Sequence, residues 1–332
     1  MGQPAPDALP ALALGIDLGG TKIAAGVVDA AGRILGRGHR PTRPREGWEA
    51  VVGRMIEAGE EALAEASAGV DDLLGVGVGS PGPVNPQTGV VVEAANLYFK
   101  DVPVVRALYR HYRRPTYLEH DARAAALGEY RYGAGRGAAN LVFVTVSTGI
   151  GAGIVLDGRL VQGSHFSAGE LGHTVVVPEG PLCTCGQRGC LEAVASGTGI
   201  ANLAREAMER GEAPVLRELA GGDPEGVDAR LVAEAVRRGD PGCREVLDQA
   251  TFHLGMALAG VVNLIDCDRI VIGGGVAKMG ELLFEPVRRT VTACVVATAR
   301  NVQIIPAALG PDAGILGAAA LAFTPPQLTP GS

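Results

Sequence analysis

Asp17-Leu18-Gly19-Gly20-Thr21-Lys22 decides the fold: it is a glycine turn between two apolar runs, and its like returns later in the chain. Before it, residues 11–16 (ALALGI) read as a buried strand; after it, Ile23 to Val28 reads as a second. Asp29-Ala30-Ala31-Gly32 then turns into a third, Arg33 to Arg37, so the chain opens on a meander. From Trp48 to Ala66 apolar residues recur at helical spacing. Gly75 to Gly79 is a short strand running into the turn Ser80-Pro81-Gly82-Pro83, and Pro103 to Tyr112 is a helix with proline in its first turn. Thr116 to Leu118 is a brief strand, and Asp121 opens a helix to Tyr130.

The plan then restarts. Leu141 to Val146 is a strand, Ser147-Thr148-Gly149-Ile150-Gly151-Ala152-Gly153 is the glycine turn, and Ile154 to Leu156 is the returning strand, with Asp157-Gly158 as a hairpin turn. Helices follow near 198–209, 228–238 and 243–264, then the strand Arg269 to Ile272, the run Gly273-Gly274-Gly275, a helix near 279–297, a strand to Pro306 and a helix over 312–322. Strand, glycine hairpin, strand occurs twice, about 130 residues apart, each time heading an α/β stretch. This is a duplication of architecture. The expected layout is a disordered lead-in 1–10, a smaller N-terminal α/β lobe 11–120, and a larger C-terminal α/β lobe 121–308 carrying a zinc-binding loop 173–190. A final helix 309–323 packs back on the first lobe, and 324–332 is a tail. Two lobes whose hairpins face a shared cleft would clamp a ligand between them.

The bulk numbers bound the function. The chain has 332 residues, enough for two domains, and is 47% hydrophobic but only 4% aromatic, so its cores rely on Ala, Val, Leu and Ile. A formal charge of −7 argues against a nucleic-acid partner. No charge-free stretch approaches the roughly 20 residues that span a membrane. Residues 1–10 lack a signal-peptide pattern, so a cytoplasmic protein is expected.

Gly19 and Gly20 let backbone N–H groups point outward at phosphate oxygens, Thr21 adds a hydroxyl, and Lys22 a positive charge. Asp17 at the strand end can hold Mg²⁺ directly or through water. Thr148 and Gly149 offer the second turn's counterpart. Neither turn is the G-x-x-x-x-G-K-[ST] phosphate loop, and the second is followed by a hairpin where a dinucleotide fold needs a helix. Plain sheet turns are the competing reading for each alone.

Cys183-Thr-Cys185-Gly-Gln-Arg-Gly-Cys190, with His173 ten positions upstream, is the sharpest local signal. Three thiolates and an imidazole fill a structural zinc shell and leave no open position for catalysis. A Cys183–Cys190 or Cys185–Cys190 disulfide, or three unrelated thiols, are the alternatives. Three acidic residues are candidates for the sugar side. Asp121 either caps its helix or, facing the cleft, accepts a proton from an attacking alcohol. Zinc would draw His173 and Glu192 together, and with Glu170 they can accept hydrogen bonds from sugar hydroxyls.

With those residues in place, the chain resembles the ROK family (repressors, open reading frames and kinases), closest to its glucokinases. The matches are DLGGTK at 17–22, GSPGPVN at 79–85, STGIGAG at 147–153, GELGH at 169–173, CTCGQRGCLE at 183–192 and IGGG at 272–275. They come in order and span 15–317. The resemblance implies an actin-like (ribonuclease H-like) two-domain ATPase/sugar kinase fold and transfer of the γ-phosphoryl group of MgATP to a hexose, on O6 in glucokinases. It implies Asp121 as the catalytic base; Glu170, His173, Glu192 and Asn96 as sugar contacts; and His173 with Cys183, Cys185 and Cys190 on zinc. Gly20, Thr21, Thr148 and Gly149 fall in phosphate loops, Gly273, Gly274 and Gly275 near the adenosine. Homodimers or homotetramers are common in the family. Two departures stand out. His120 precedes the base where the family's glucokinases carry Asn, in Glu119-His120-Asp121-Ala122-Arg123, and Tyr98-Phe99 stands where Gly-Trp is common. Both touch the sugar side, so an N-acetylmannosamine or N-acetylglucosamine kinase is the alternative. A sugar-responsive repressor or a non-catalytic sugar-binding protein is the alternative from another class.

Overall fold

The computed structural model describes residues 11–324; the expected lead-in, and the tail beyond Thr324, lie outside them. The chain divides into two compact units. The first ends at Gly137 but takes back Gly153–Ala168 and the chain from Ala308 on; the second holds Ala138–Ala152 and Gly169–Ala307.

In the first unit the sheet order is Ile34–Pro41, Lys22–Asp29, Leu12–Leu18, Leu73–Ser80, Thr116–His120. The first three strands form the expected antiparallel meander, from Leu12↔Asp29 to Leu18↔Ile23 across the glycine turn. The last two strands join in parallel. Side chains of a strand alternate between faces. Leu12, Leu14, Ile16 and Leu18 therefore pack with Val51, Val52 and Met55 of the helix Trp48–Glu65, while Ala13 packs with Ile315, Leu316 and Ala319 of the helix Ala313–Phe323.

That last helix lies unusually close to the sheet. A Cβ at Gly15 would overlap the Ile315 carbonyl oxygen, and one at Gly77 the Ala318 carbonyl oxygen. Its other side meets the helix Asp121–Tyr132, where Gly128 and Gly317 pass with a Cβ-to-Cα distance of only 3.0 Å for an added Cβ at Gly128. Buried Glu129 completes the junction by accepting N–H bonds from Ala134 at 2.8 Å, Ala308 at 3.2 Å and Leu309 at 2.8 Å. These contacts correct the expected boundary at 120. The helix that begins at Asp121 is held by the last helix of the chain, and so belongs to the first unit.

The second unit repeats the plan. Leu141–Val146, Arg269–Gly273 and Gln303–Pro306 run parallel, with Ile150–Leu156 next to Leu141–Val146. Helices Gly197–Glu209, Ala229–Arg237, Pro241–Ile265 and Glu281–Cys294 accompany them. The strand after the second glycine turn starts at Ile150, not at Ile154, so the turn is only Ser147-Thr148-Gly149. Gly153 is glycine for another reason: it passes 2.9 Å, by an added Cβ, from Arg123 Cα. The three-stranded sheet Val84–Asn85, Val90–Ala94, Phe99–Val102 was not foreseen; it carries Asn96 on a one-turn helix, Ala95–Leu97. Among the described residues no helix is long and apolar enough to cross a membrane.

If backbone contact at Gly77 sets the seat of the last helix, Gly77→Ala will lower the unfolding free energy by about 2 kcal/mol or more in chemical denaturation. Gly53, in a helix interior with nothing within 4 Å of an added Cβ, is the contrast: Gly53→Ala should raise stability by about 0.5–1 kcal/mol.

Candidate functional site

The first unit gathers one set of the predicted residues around its glycine turn. Gly19 N–H closes the turn on Lys22 O at 3.0 Å. Thr42, fully buried at the end of the third strand, fixes it from outside: its hydroxyl donates to Gly19 O at 2.7 Å and its N–H to Thr21 O at 2.9 Å. Thr42 escaped the sequence reading, since nothing local marks a threonine 21 positions downstream of Thr21 as the brace of a turn. Thr21 and Lys22 are exposed. Asn96 lies against Gly20, its Nδ2 3.0 Å from where a Cβ would stand.

Asp17 sits at the end of its strand beside Gly314, where any Cβ would collide with its carboxylate. Burial, then the negative Asp121, push its pKa up to about 6 against the opposing pull of Lys22. Asp121 opens the helix Asp121–Tyr132, but the N-cap position is His120. The Asp121 Oδ1 accepts only the adjacent Ala122 N–H at 2.6 Å and lies 3.3 Å from His120 Nδ1. The carboxylate is 45% exposed. Its oxygens are therefore not spent on the usual second- or third-residue cap. A buried carboxylate facing a second one is a fitting place for a divalent cation.

The second unit gathers the rest. Ser147 N–H bonds Gly149 O at 2.8 Å, and Gly197 N–H bonds Ser147 O at 2.7 Å, so the short turn is tied to the start of the helix Gly197–Glu209. Glu192, on the short helix Leu191–Ala195, reaches the same turn: its Oε2 accepts the Ile150 N–H at 2.9 Å, and a Cβ at Gly149 would collide with it. Thr148, Gly149, Cys183, Thr184 and Glu192 line one cavity of about 400 Å³. Glu170 is exposed and starts the turn Leu171–His173, accepting the His173 N–H at 3.1 Å on its carbonyl.

A second cavity, of about 390 Å³, brings distant motifs together: Ser147 and Thr148 line it with Gly275, Val276, Arg205, Asp228 and Arg230. Gly273 and Gly274 do not line it. Gly273 packs on Phe143 and Ala307, and Gly274, at φ 87°, lets the chain turn over the Val146 carbonyl. Arg205, Asp228 and Arg230 were not anticipated; they stand on or beside helices whose solvent faces give no local sign of a pocket.

The candidate metal centre is compact. The ligand atoms of His173, Cys183, Cys185 and Cys190 all lie within 4.8 Å of one another. Cys183 Sγ is 3.7 Å from His173 Nδ1 and Cys185 Sγ 3.6 Å from Cys190 Sγ. Ligands of tetrahedral zinc at bond lengths of 2.0–2.3 Å stand about 3.5–3.8 Å apart, so the residues fit the ion, whereas a disulfide needs about 2.05 Å. Gly186, at φ 88°, makes the knuckle turn, closed by its N–H to Cys183 O at 2.9 Å. Burial and the neighbouring thiols push Cys190 up to about 12, and a bound cation would favour its thiolate.

A model described as the ROK family matches residues 13–324. Similar proteins include a glucokinase of Thermotoga maritima, 38% identical over 310 residues, covering 93% of this chain and 96% of that one. The solved structure of a ROK family glucokinase from Streptomyces griseus in complex with glucose and AMPPNP is 36% identical, with a TM-score of 0.79 over 94% of this chain and 99% of that one. A ROK hexokinase from Thermus thermophilus is 39% identical, with a TM-score of 0.80 over 94% and 98%.

Two outcomes follow from the geometry. Elemental analysis of the purified protein should find one zinc per chain. Cys190→Ser should abolish it and lower stability by about 3 kcal/mol or more, and a zinc-free native protein would remove the metal centre. For Asp17, the folded pKa of about 6 lies above the model value of 3.8. The group is neutral in both states at low pH, and as pH rises from 3.8 to about 6 the unfolded chain ionises first, so stability is lost across that window. Without magnesium and nucleotide, Asp17→Asn should therefore be more stable than the parent by about 1–3 kcal/mol at pH 7.5 and no more stable near pH 3.5; pH-dependent denaturation checks this.

Proposed function

The chain belongs to the ROK family, and we propose from that premise that it is an ATP-dependent glucokinase, moving the γ-phosphoryl group of MgATP to the 6-hydroxyl of glucose to give glucose 6-phosphate and ADP. The observation that carries this is the likeness, along nearly the whole of both chains, to a glucokinase solved with glucose and an ATP analogue. The family brings the actin-like α/β fold with a duplicated core, which the two meander-headed sheets match.

In this reading Asp121 is the general base. Its half-exposed carboxylate, free of a capping role, takes the proton of the attacking hydroxyl as transfer proceeds. His120, Asn96, Glu170, His173 and Glu192 are the sugar contacts that the family likeness assigns. Glu192 does so while holding the Ile150 N–H, so the sugar wall and the phosphate turn share one carboxylate. Gly20, Thr21, Thr148 and Gly149 present backbone N–H groups or hydroxyls to phosphate; Gly19, whose N–H is taken by Lys22 O, shapes the turn instead of donating from it. Lys22 adds charge, and the cavity lined by Thr148 and Gly275 takes the nucleoside. Asp17 is the residue to hold Mg²⁺, which when bound offsets phosphate charge. The zinc ligands keep the loop that carries Glu192 in shape. Glycolytic supply of sugar phosphate in the cytoplasm is the matching role. A homodimer or homotetramer is the matching assembly, and Phe252, Met256 and Leu264, exposed on the helix Pro241–Ile265, offer apolar surface for it.

Asp121→Asn tests the mechanism: it should bind glucose with near-parental affinity in calorimetry while turnover, followed by coupled ADP release, falls by about 100-fold or more. The same assay over glucose, mannose, fructose, N-acetylglucosamine and N-acetylmannosamine should give glucose the highest kcat/KM; preference for an N-acetylhexosamine would sink the glucokinase assignment and leave the kinase one standing.

A further inference from the structure

The strand–helix junction that carries Asp121 is held by a buried ion pair outside the residues assigned so far. Glu119 is 0% exposed and Arg123 1%, and Arg123 Nε donates to Glu119 Oε1 at 2.7 Å. The same Oε1 accepts the His120 N–H at 2.8 Å, and Oε2 accepts Gln162 Nε2 at 2.6 Å. Arg123 Nη1 donates to Ala168 O at 3.2 Å, and Gly153 closes over the Arg123 backbone. The pentapeptide 119–123 thus has two inward side chains locked by charge, while its outward pair, His120 and Asp121, touch each other at 3.3 Å.

Stability alone does not explain this arrangement. Taking both charges out of water costs as much as the pair returns, and apolar residues of similar volume often serve better. Arg123 Nη2 is also buried with no hydrogen-bond partner, an added cost. What a fork-shaped guanidinium supplies that an apolar side chain does not is direction: it fixes the rotation of the first helical turn against the strand end. Because Asp121 and His120 sit between the two partners in sequence, any rotation of that turn moves both.

We propose that Arg123, paired with Glu119, is a positioning residue for the phosphoryl acceptor: it aims Asp121 and His120 at the sugar through the backbone they share. This rests on Asp121 being the base of a hexose kinase. A misaimed base loses turnover steeply, because displacements near 1 Å cost about 100-fold. The nucleotide side, built from other elements, is left alone.

The variants are Arg123→Lys, which keeps the charge without the fork; Gln162→Met, which removes one support; and Glu119→Gln with Arg123→Met together, which removes both charges and avoids a lone buried ion. Steady-state kinetics on glucose and MgATP should show kcat of the double variant down by about tenfold or more and KM for glucose up several-fold, with KM for MgATP within about twofold of the parent. Arg123→Lys should fall between. A purely structural role would reduce the active fraction and leave both KM values in place. Parental kcat and an unchanged ratio of the two KM values in the double variant would overturn the proposal. Should that variant not fold, unchanged ratios in both Arg123→Lys and Gln162→Met would overturn it equally. A parent inactive on every hexose would bring down the kinase reading and this proposal together, whereas an active parent with unaffected variants brings down this proposal alone.

Discussion

The first unit depends on how near a helix backbone can come to a sheet. Carbonyl oxygens of Ile315 and Ala318 occupy the space that side chains at 15 and 77 would need. With the helix seated there, Gly314 leaves room for the Asp17 carboxylate, and Gly317 lets the helix Asp121–Tyr132 lie directly alongside. Asp17 and Asp121 are thus both placed by one set of missing Cβ atoms. The composition, 49 glycines and 4% aromatics, is what such close layers demand: small residues bring main chains together where bulky ones would prop them apart.

Legibility in the sequence followed how local each cause was. The meander, the Asp17–Lys22 turn and the cysteine knuckle were readable, since hairpin chemistry and ligand spacing act within a few residues. The run Ile150 to Gly153 was misread as turn: Gly153 is there for close packing by another helix, and a glycine looks the same for either purpose. The three-stranded sheet around Asn96 was hidden by Pro81, Pro83 and Pro86, which read as loop, and by strands of only two to five residues. The unit boundary failed for a topological reason, because the chain leaves the first unit and returns to it twice.

Among the candidate site residues, types were legible and partnerships were not. Asp121 could be singled out, but whether it caps its helix was settled only by the Ala122 and His120 contacts. Glu192 was read as a candidate sugar contact, and in the structure its carboxylate holds the Ile150 amide. Arg123 looked like any charged residue on a helix, and its complete burial beside Glu119 is a fact of three dimensions. The electrostatics share one theme. Asp17 and Cys190 are both pushed up by burial, so in each the charged form is disfavoured and a nearby cation would offset that cost.

The return of the chain at Ala308 has a consequence for how the protein is made. A ribosome delivers residues in order, and domains fold as units once their residues have emerged. The second unit is complete in sequence at Ala307, whereas the first still lacks the strip that seats on Gly15 and Gly77. Through most of translation the earlier sheet therefore waits with one apolar face bare. Closure of that sheet is thus postponed until the residues from Ala308 on have left the ribosome.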